Sequence, residues 1–246
     1  MTPARTRAVA LRVLQQVRRD PRTLAMLVVI PCALMALLWW MYRDVPGASP
    51  FDHLGPPLLA IFPFVVMFLI TSVTTLRERA SGTLERLLAM PLGKLDFLLG
   101  YGVAFGLLAA VQSGAAVAVS VGLLDLDVQG SVWLLLVVAI ADAVLGTALG
   151  LFVSAFANTE FQAVQFMPAL VVPQILLCGL FVPRHQLPDV LHAISEVLPL
   201  SYAVDAMQHL TAASATSDVA WDLAVVVGYA VALLVLGALT LRRRTP

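Results

Sequence analysis

The chain has 246 residues, 60% hydrophobic and only 12% charged, with a mean hydropathy of +0.92. A soluble domain carries about 25% charged residues, so the composition excludes an ordinary soluble protein and points to an all-α integral membrane one. The net charge of zero says little, because in a membrane protein the distribution of charge is what informs.

Residues 5–19 come first. On a helical wheel Val9, Ala10, Val13, Leu14 and Val17 share one face, and Arg5, Arg12, Gln15, Gln16, Arg18 and Arg19 surround the rest. This predicts a basic amphipathic helix lying on an anionic membrane surface, within an interfacial segment 1–22. Asp20-Pro21 then breaks the helix and turns the chain into the bilayer.

A membrane span needs about 20 mostly apolar residues. Six runs meet this, at 23–42, 56–76, 95–122, 132–156, 163–183 and 221–241, and together they form a six-span domain over 23–246. Placing the N-terminus in the cytosol puts 1–22, 77–94, 157–162 and 242–246 on the same side. Every arginine except Arg43 and Arg184, and the sole lysine, Lys94, then falls inside. The positive-inside rule therefore predicts that both termini are cytosolic. Trp39, Trp40, Trp133 and Trp221 all fall at outer span ends, where interfacial belts enrich tryptophan. Arginine-dominated basic residues with abundant Ala, Val and Leu hint at a GC-rich bacterial genome, and a bacterial plasma membrane is the expected setting.

Between the second and third spans lies a polar stretch with Arg77, Glu78, Arg79, Glu85, Arg86 and Lys94. Thr83 can cap a short helix, Glu85 sits where the helix dipole favours an anion, and Leu84, Leu87 and Leu88 give it an apolar stripe. Pro91 and Gly93 end it. Two readings fit equally: a handle for a cytosolic partner, or a solvated loop with an interfacial helix.

The third span carries Gly102, Gly106, Ala110, Gly114, Ala118 and Gly122 in a row, and the fourth Gly146, Gly150 and Ser154. Such rows let helix backbones approach closely. Asp142 stands alone in the fourth span, and an intramembrane carboxylate is a functional candidate by default. The fifth span contains Gln165, Pro168, Pro173 and Gln174. Its glutamines either hold helices together or line a pathway. In 184–220, Val190, Leu191, Ile194, Val197 and Leu198 form one apolar helical face. Tyr202, Ala206, Met207 and Leu210 continue a second beyond Pro199. Two short helices dipping partway into the membrane from outside are expected. His185, His192 and His209 lack metal-ligand spacing, and Cys32 and Cys178 sit in apolar runs as packing residues.

No phosphate-binding G-x-x-x-x-G-K-[ST], H-E-x-x-H or G-x-S-x-G occurs. No catalytic residue, metal or cofactor is therefore expected in this chain.

One further pattern joins these observations. Glu78, Ser81-Gly82-Thr83-Leu84-Glu85, Leu87-Leu88 and Met90-Pro91-Leu92 form one block. Gly179-Leu180-Phe181-Val182-Pro183, Leu187-Pro188 and Leu198-Pro199-Leu200-Ser201-Tyr202-Ala203-Val204-Asp205 form another. Together they resemble the type-2 ABC-transporter permeases, of the drug-resistance and nodulation-factor export type, over essentially the whole chain. The resemblance implies two permeases, identical or paralogous, around a central pathway in membrane lipid. Each docks on a cytosolic ATP-binding-cassette ATPase, two per complex, which carry the ATP and magnesium. No nucleic-acid partner is expected. The resemblance also makes 77–91 the coupling-helix region, with Glu78, Gly82, Thr83, Leu84, Glu85, Leu87, Leu88 and Pro91 as its residues. Phe62, Phe64, Met67, Asp142, Gln165, Phe166 and Met167 become pathway candidates. The implied function is export of an amphipathic substrate: a drug, a lipid or a lipid-linked glycan. Apolar, aromatic and Met-rich walls suit such a ligand. The competing readings are a membrane enzyme acting on lipid and an ATP-independent transporter.

Overall fold

The computed structural model describes residues 3–45, 50–81, 94–211 and 216–240. Among these the chain is all helical, with no strand. The helices are α1 (Pro3–Arg18), α2 (Pro21–Tyr42), α3 (Pro50–Ala80), α4 (Lys94–Gly122), α5 (Val132–Ser154), α6 (Glu160–Leu177), α7 (Asp189–Val197), α8 (Pro199–Thr211) and α9 (Thr216–Thr240). A single 3-10 turn covers Arg184–Gln186. Six of these helices, α2 to α6 and α9, are long and apolar enough to cross a membrane.

The predicted spans and the helices differ at their ends for identifiable reasons. α3 starts at Pro50, six residues before the expected span, because Pro56 and Pro57 continue an existing helix rather than opening one. α6 stops at Leu177 instead of running to 183. Cys178 caps it, and Gly179 takes a φ of +93° that turns the chain away, a conformation glycine adopts without steric cost.

α3 and α5 form the centre of the bundle. Over half of each spanning window is buried, 56% and 61%, against 17% for α2 and α6 and 22% for α9. Their close approach rests on two glycines. A Cβ at Gly146 would lie 2.3 Å from the Phe64 carbonyl oxygen, and one at Gly150 2.6 Å from that of Phe68. The small-residue row of α5 therefore packs as expected. The row of α4 does not: Cβ atoms at Gly102, Gly114 and Gly122 would meet nothing within 4 Å. Spacing alone shows that a helix face is smooth, not that a neighbour occupies it.

α1 also departs from expectation. Its predicted membrane-facing residues Val9, Ala10, Val13 and Val17 are buried instead, in a core with Leu27, Tyr101, Ala104 and Phe105. α4 takes up this face because Gly100 leaves room for it; a Cβ there would lie 2.6 Å from Val9 Cβ. A second core joins α3, α5, α8 and α9 through residues such as Phe64, Phe68, Leu145, Leu200 and Val226. α8 is thus part of the protein interior, burying Leu200, Ala203, Val204, Ala206, Met207 and Leu210. α7 keeps its apolar residues outside, with Val190 71% and Val197 65% exposed.

Candidate functional site

The end of the bundle formed by α1, the last turn of α3 and the first turn of α6 is where polar side chains tie separate helices together. Asp20 caps α2: its carboxylate accepts from the Thr23 hydroxyl at 2.6 Å and the Thr23 N–H at 3.2 Å. These bonds hold the Asp20 carboxyl below its ordinary value. Thr159 caps α6 by accepting from Gln162 N–H at 3.1 Å, and Gln162 reaches back to accept from Asn158 N–H at 2.9 Å, close to a capping-box exchange. Arg77 of α3 donates two bonds to the Glu160 carboxylate, at 2.8 and 2.9 Å. Both side chains are more than half exposed, so this pair fixes geometry more than it adds stability.

Glu78 is the most consequential member. Its side chain is only 5% exposed, although it lies one helical turn from the polar segment. Arg12 of α1 approaches it at 3.4 Å, and Gln16, one turn further along the same face of α1, lies beside it. The Oε2 atom of Glu78 has no partner among the described residues. A buried carboxylate held by a neighbouring helix makes α1 and the end of α3 one unit. Of the expected coupling residues, Glu78 is the one the structure describes. Gly82, Thr83, Leu84, Glu85, Leu87, Leu88 and Pro91 lie outside the described residues.

The pathway candidates do not converge on one surface. Phe64 and Met67 are fully buried, in different cores. Asp142 is fully buried, and neither carboxylate oxygen has a partner among the described residues. Phe62, Phe166 and Met167 are half-buried against the α3–α5 core, and Gln165 is exposed. Gln174 donates to the Leu170 carbonyl of its own helix at 3.0 Å.

At the opposite end a second cluster joins α7 and α8; Tyr202 and Asp205 stand in a block that the sequence made conspicuous, but nothing there assembled them with Arg184 and Ser195 into a site. Arg184 pairs with Asp205, donates to Ser195 Oγ at 3.2 Å, and stacks 5.3 Å from the Tyr202 ring centroid. Burial pushes the Asp205 carboxyl up, and Arg184 pulls it back down. Tyr202 donates to the Glu196 carbonyl at 2.7 Å, and Tyr229 of α9 to the Val197 carbonyl at 2.8 Å. Gly179 brings the chain under Arg184, whose Cγ would be 3.3 Å from a Cβ there. The conspicuous Gly-Leu-Phe-Val-Pro and Leu-Pro-Leu-Ser-Tyr blocks thus flank a polar clasp. The signal was present: Arg184 is one of two arginines that break the charge asymmetry. The other, Arg43, also has an anion beside it, Asp44 at 3.4 Å.

Comparison with known proteins agrees with this architecture. The ABC-2 type transporter family pattern matches residues 4–212. Over 167 residues the chain is 25% identical to the probable multidrug ABC transporter permease YbhR of Escherichia coli, covering 68% of this chain and 45% of that protein. It is 26% identical over 167 residues to the Escherichia coli inner membrane transport permease YhhJ, covering 67% and 45%. It is also 25% identical over 165 residues to ABC transporter G family member 20 of Dictyostelium discoideum, covering 67% of this chain and 23% of that protein. The chain therefore spans less than half the length of these relatives. With the match running from α1 to the end of α8, this multi-pass membrane chain belongs to the ABC-2 type transporter family.

Proposed function

We propose that the chain is the permease subunit of an ATP-driven exporter in a bacterial plasma membrane, moving an amphipathic drug, lipid or lipid-linked glycan outward. The hydrolysis is carried out by a separate cytosolic ABC ATPase, and two permease copies share the pathway. The observation that carries this reading is Glu78. It is a buried carboxylate at the last turn of α3, tied to α1 through Arg12, directly before the polar segment 82–93. A force applied by an ATPase to that segment would reach α1 and the central helix α3 together.

In this reading both termini and the segment 77–94 are cytosolic, as the arginine distribution favours, and α7 and α8 form the outer clasp. α2 and α6, which expose most of their apolar surface, supply the face toward the second copy. Half-buried Phe62, Phe166 and Met167 and exposed Gln165 are the better-placed lining residues. Two of the relatives, a probable multidrug permease and an inner membrane transport permease, support a transport role.

The test is affinity purification from native membranes in mild detergent. An ABC ATPase is expected to co-purify with the wild type and to be lost in Leu87→Asp/Leu88→Asp. Glu85→Arg is expected to retain membrane insertion but fail to stimulate ATP hydrolysis. A folded, monodisperse chain that recruits no ATPase would overturn the reading.

A further inference from the structure

A groove of about 550 Å³ runs between α1 and α4, lined by Pro3, Thr6, Arg7, Leu11, Leu14 and, on α4, Leu99, Val103 and Leu107 among others. It exists because α1 turns Val9, Ala10, Val13 and Val17 onto α4 and leaves Leu11, 47% exposed, beside it. On α4 the lining residues recur once per turn, so the apolar floor runs for about 12 Å from the α1 end toward the middle of the span. Leu99, Val103 and Leu107 are each between 41% and 51% exposed, so nothing among the described residues covers them. The polar end differs. Arg7 lines the groove, is exposed, and makes no ion pair among the described residues, as is also true of Arg5, Arg18 and Arg19. Arg12, by contrast, is engaged by Glu78.

We infer that this groove is a binding site for one anionic phospholipid of the adjacent leaflet, with its phosphate at Arg7 and an acyl chain along Leu99, Val103 and Leu107. The occupant follows from the two ends. The floor is apolar, linear and open to the hydrocarbon, which suits an acyl chain. The mouth carries uncompensated positive charge at membrane-surface depth, which suits an anionic headgroup over a zwitterionic one. The groove is lined by α1 and α4 and by neither α2 nor α6, so the lipid would stay there as a resident, apart from the faces assigned to transport. The site is therefore independent of the exporter reading. Its effect on the chain would pass through α1, whose other side holds Glu78.

Native mass spectrometry of the detergent-purified chain, titrated with phosphatidylglycerol or phosphatidylcholine, tests this. The wild type is expected to retain phosphatidylglycerol preferentially. Arg7→Ala should weaken that lipid about fivefold, the worth of one basic residue at an anionic surface, and leave phosphatidylcholine unchanged. Val103→Trp, which fills the groove, should lower both. Arg18→Ala, on α1 outside the groove, and Leu123→Trp, just beyond the end of α4, should behave as wild type. Equal retention of the two lipids by wild type would overturn the site. So would equal losses in Arg7→Ala and Arg18→Ala, because the effect would then be general surface charge. Undiminished phosphatidylglycerol in a folded Val103→Trp would overturn it as well. If Val103→Trp does not fold, the comparison of Arg7→Ala with Arg18→Ala decides alone.

Discussion

Arg184 and Asp205 show what single residues contribute when both are largely withdrawn from water. Their side chains are 15% and 23% exposed, so removing either leaves the other charge in a poorly solvated place. Arg184→Ala is expected to cost about 1.5–3 kcal/mol, the usual worth of hydrogen bonds to a charged group. Thermal melting in detergent should show it. The double variant Arg184→Ala/Asp205→Ala should lose less than the sum of the single losses; strict additivity would mean the pair is not an energetic unit. Asp142 poses the opposite case, a buried carboxyl with no partner among the described residues. Because no hydrogen bond is lost, Asp142→Asn should melt within a few tenths of a kcal/mol of wild type. A transport defect in that folded variant would give the carboxyl a role beyond packing. For Asp20, the depressed folded value sets the sign of the pH response. Its cap on α2 contributes fully above the ordinary value of 3.8 and is lost as pH falls through the lower folded value. Asp20→Asn, which cannot titrate, should remove that acid-side dependence from the melting profile.

At the scale of elements, the sequence spoke clearly where one signal sufficed and ambiguously where a partner had to be known. Six apolar runs were legible because length and hydropathy belong to the segment itself. The end of α6 was not, because it depends on the positive φ of Gly179, which hydropathy does not register. The helix of residues 3–18 was legible from its period, but its apolar face packs on α4 where lipid was expected. The wheel cannot distinguish lipid from a neighbouring helix, and the deciding residue, Gly100, lies far away in sequence. The clasp around Arg184 escaped because its members come from 184, 195, 202 and 205, with no periodicity to link them. The two glycine rows make a direct comparison. Gly146→Ala and Gly150→Ala should each destabilise the fold by about 1–3 kcal/mol through overpacking and reduce accumulation in the membrane. Gly102→Ala and Gly114→Ala should be tolerated or mildly stabilising, since each removes backbone freedom at an uncrowded position. Equal sensitivity of the two rows, read by expression level and melting temperature, would show that α4 has a partner that the single chain lacks.

For the whole molecule, the uneven burial of the spans separates a fixed part from an exposed one. α3, α5 and α8 share a core, and α1 is attached through α4 and the Glu78 contact. α2 and α6 touch this body over little of their surface. Relative movement is therefore cheapest at α2 and α6. Hydrogen exchange in detergent should show faster exchange there than at the centre of α5. Membrane orientation can be measured on the same scale. An introduced cysteine at Arg19 is expected to react only with reagents that reach the cytosol, and one at Glu196 only with impermeant reagents added outside. Reversal of that pattern would invert the topology that the arginines favour.

The contact between α5 and α3 has one more consequence, for how related sequences vary. The nearest atoms to Gly146 and Gly150 are main-chain oxygens, those of Phe64 and Phe68. Every amino acid presents the same oxygen, so no exchange at 64 or 68 can make room for a larger residue at 146 or 150. The glycines should therefore be held fixed with no covarying partner, while Phe64 and Phe68 drift among residues of similar volume. Methods that find contacts from correlated substitution would miss these two close approaches of α5 to α3.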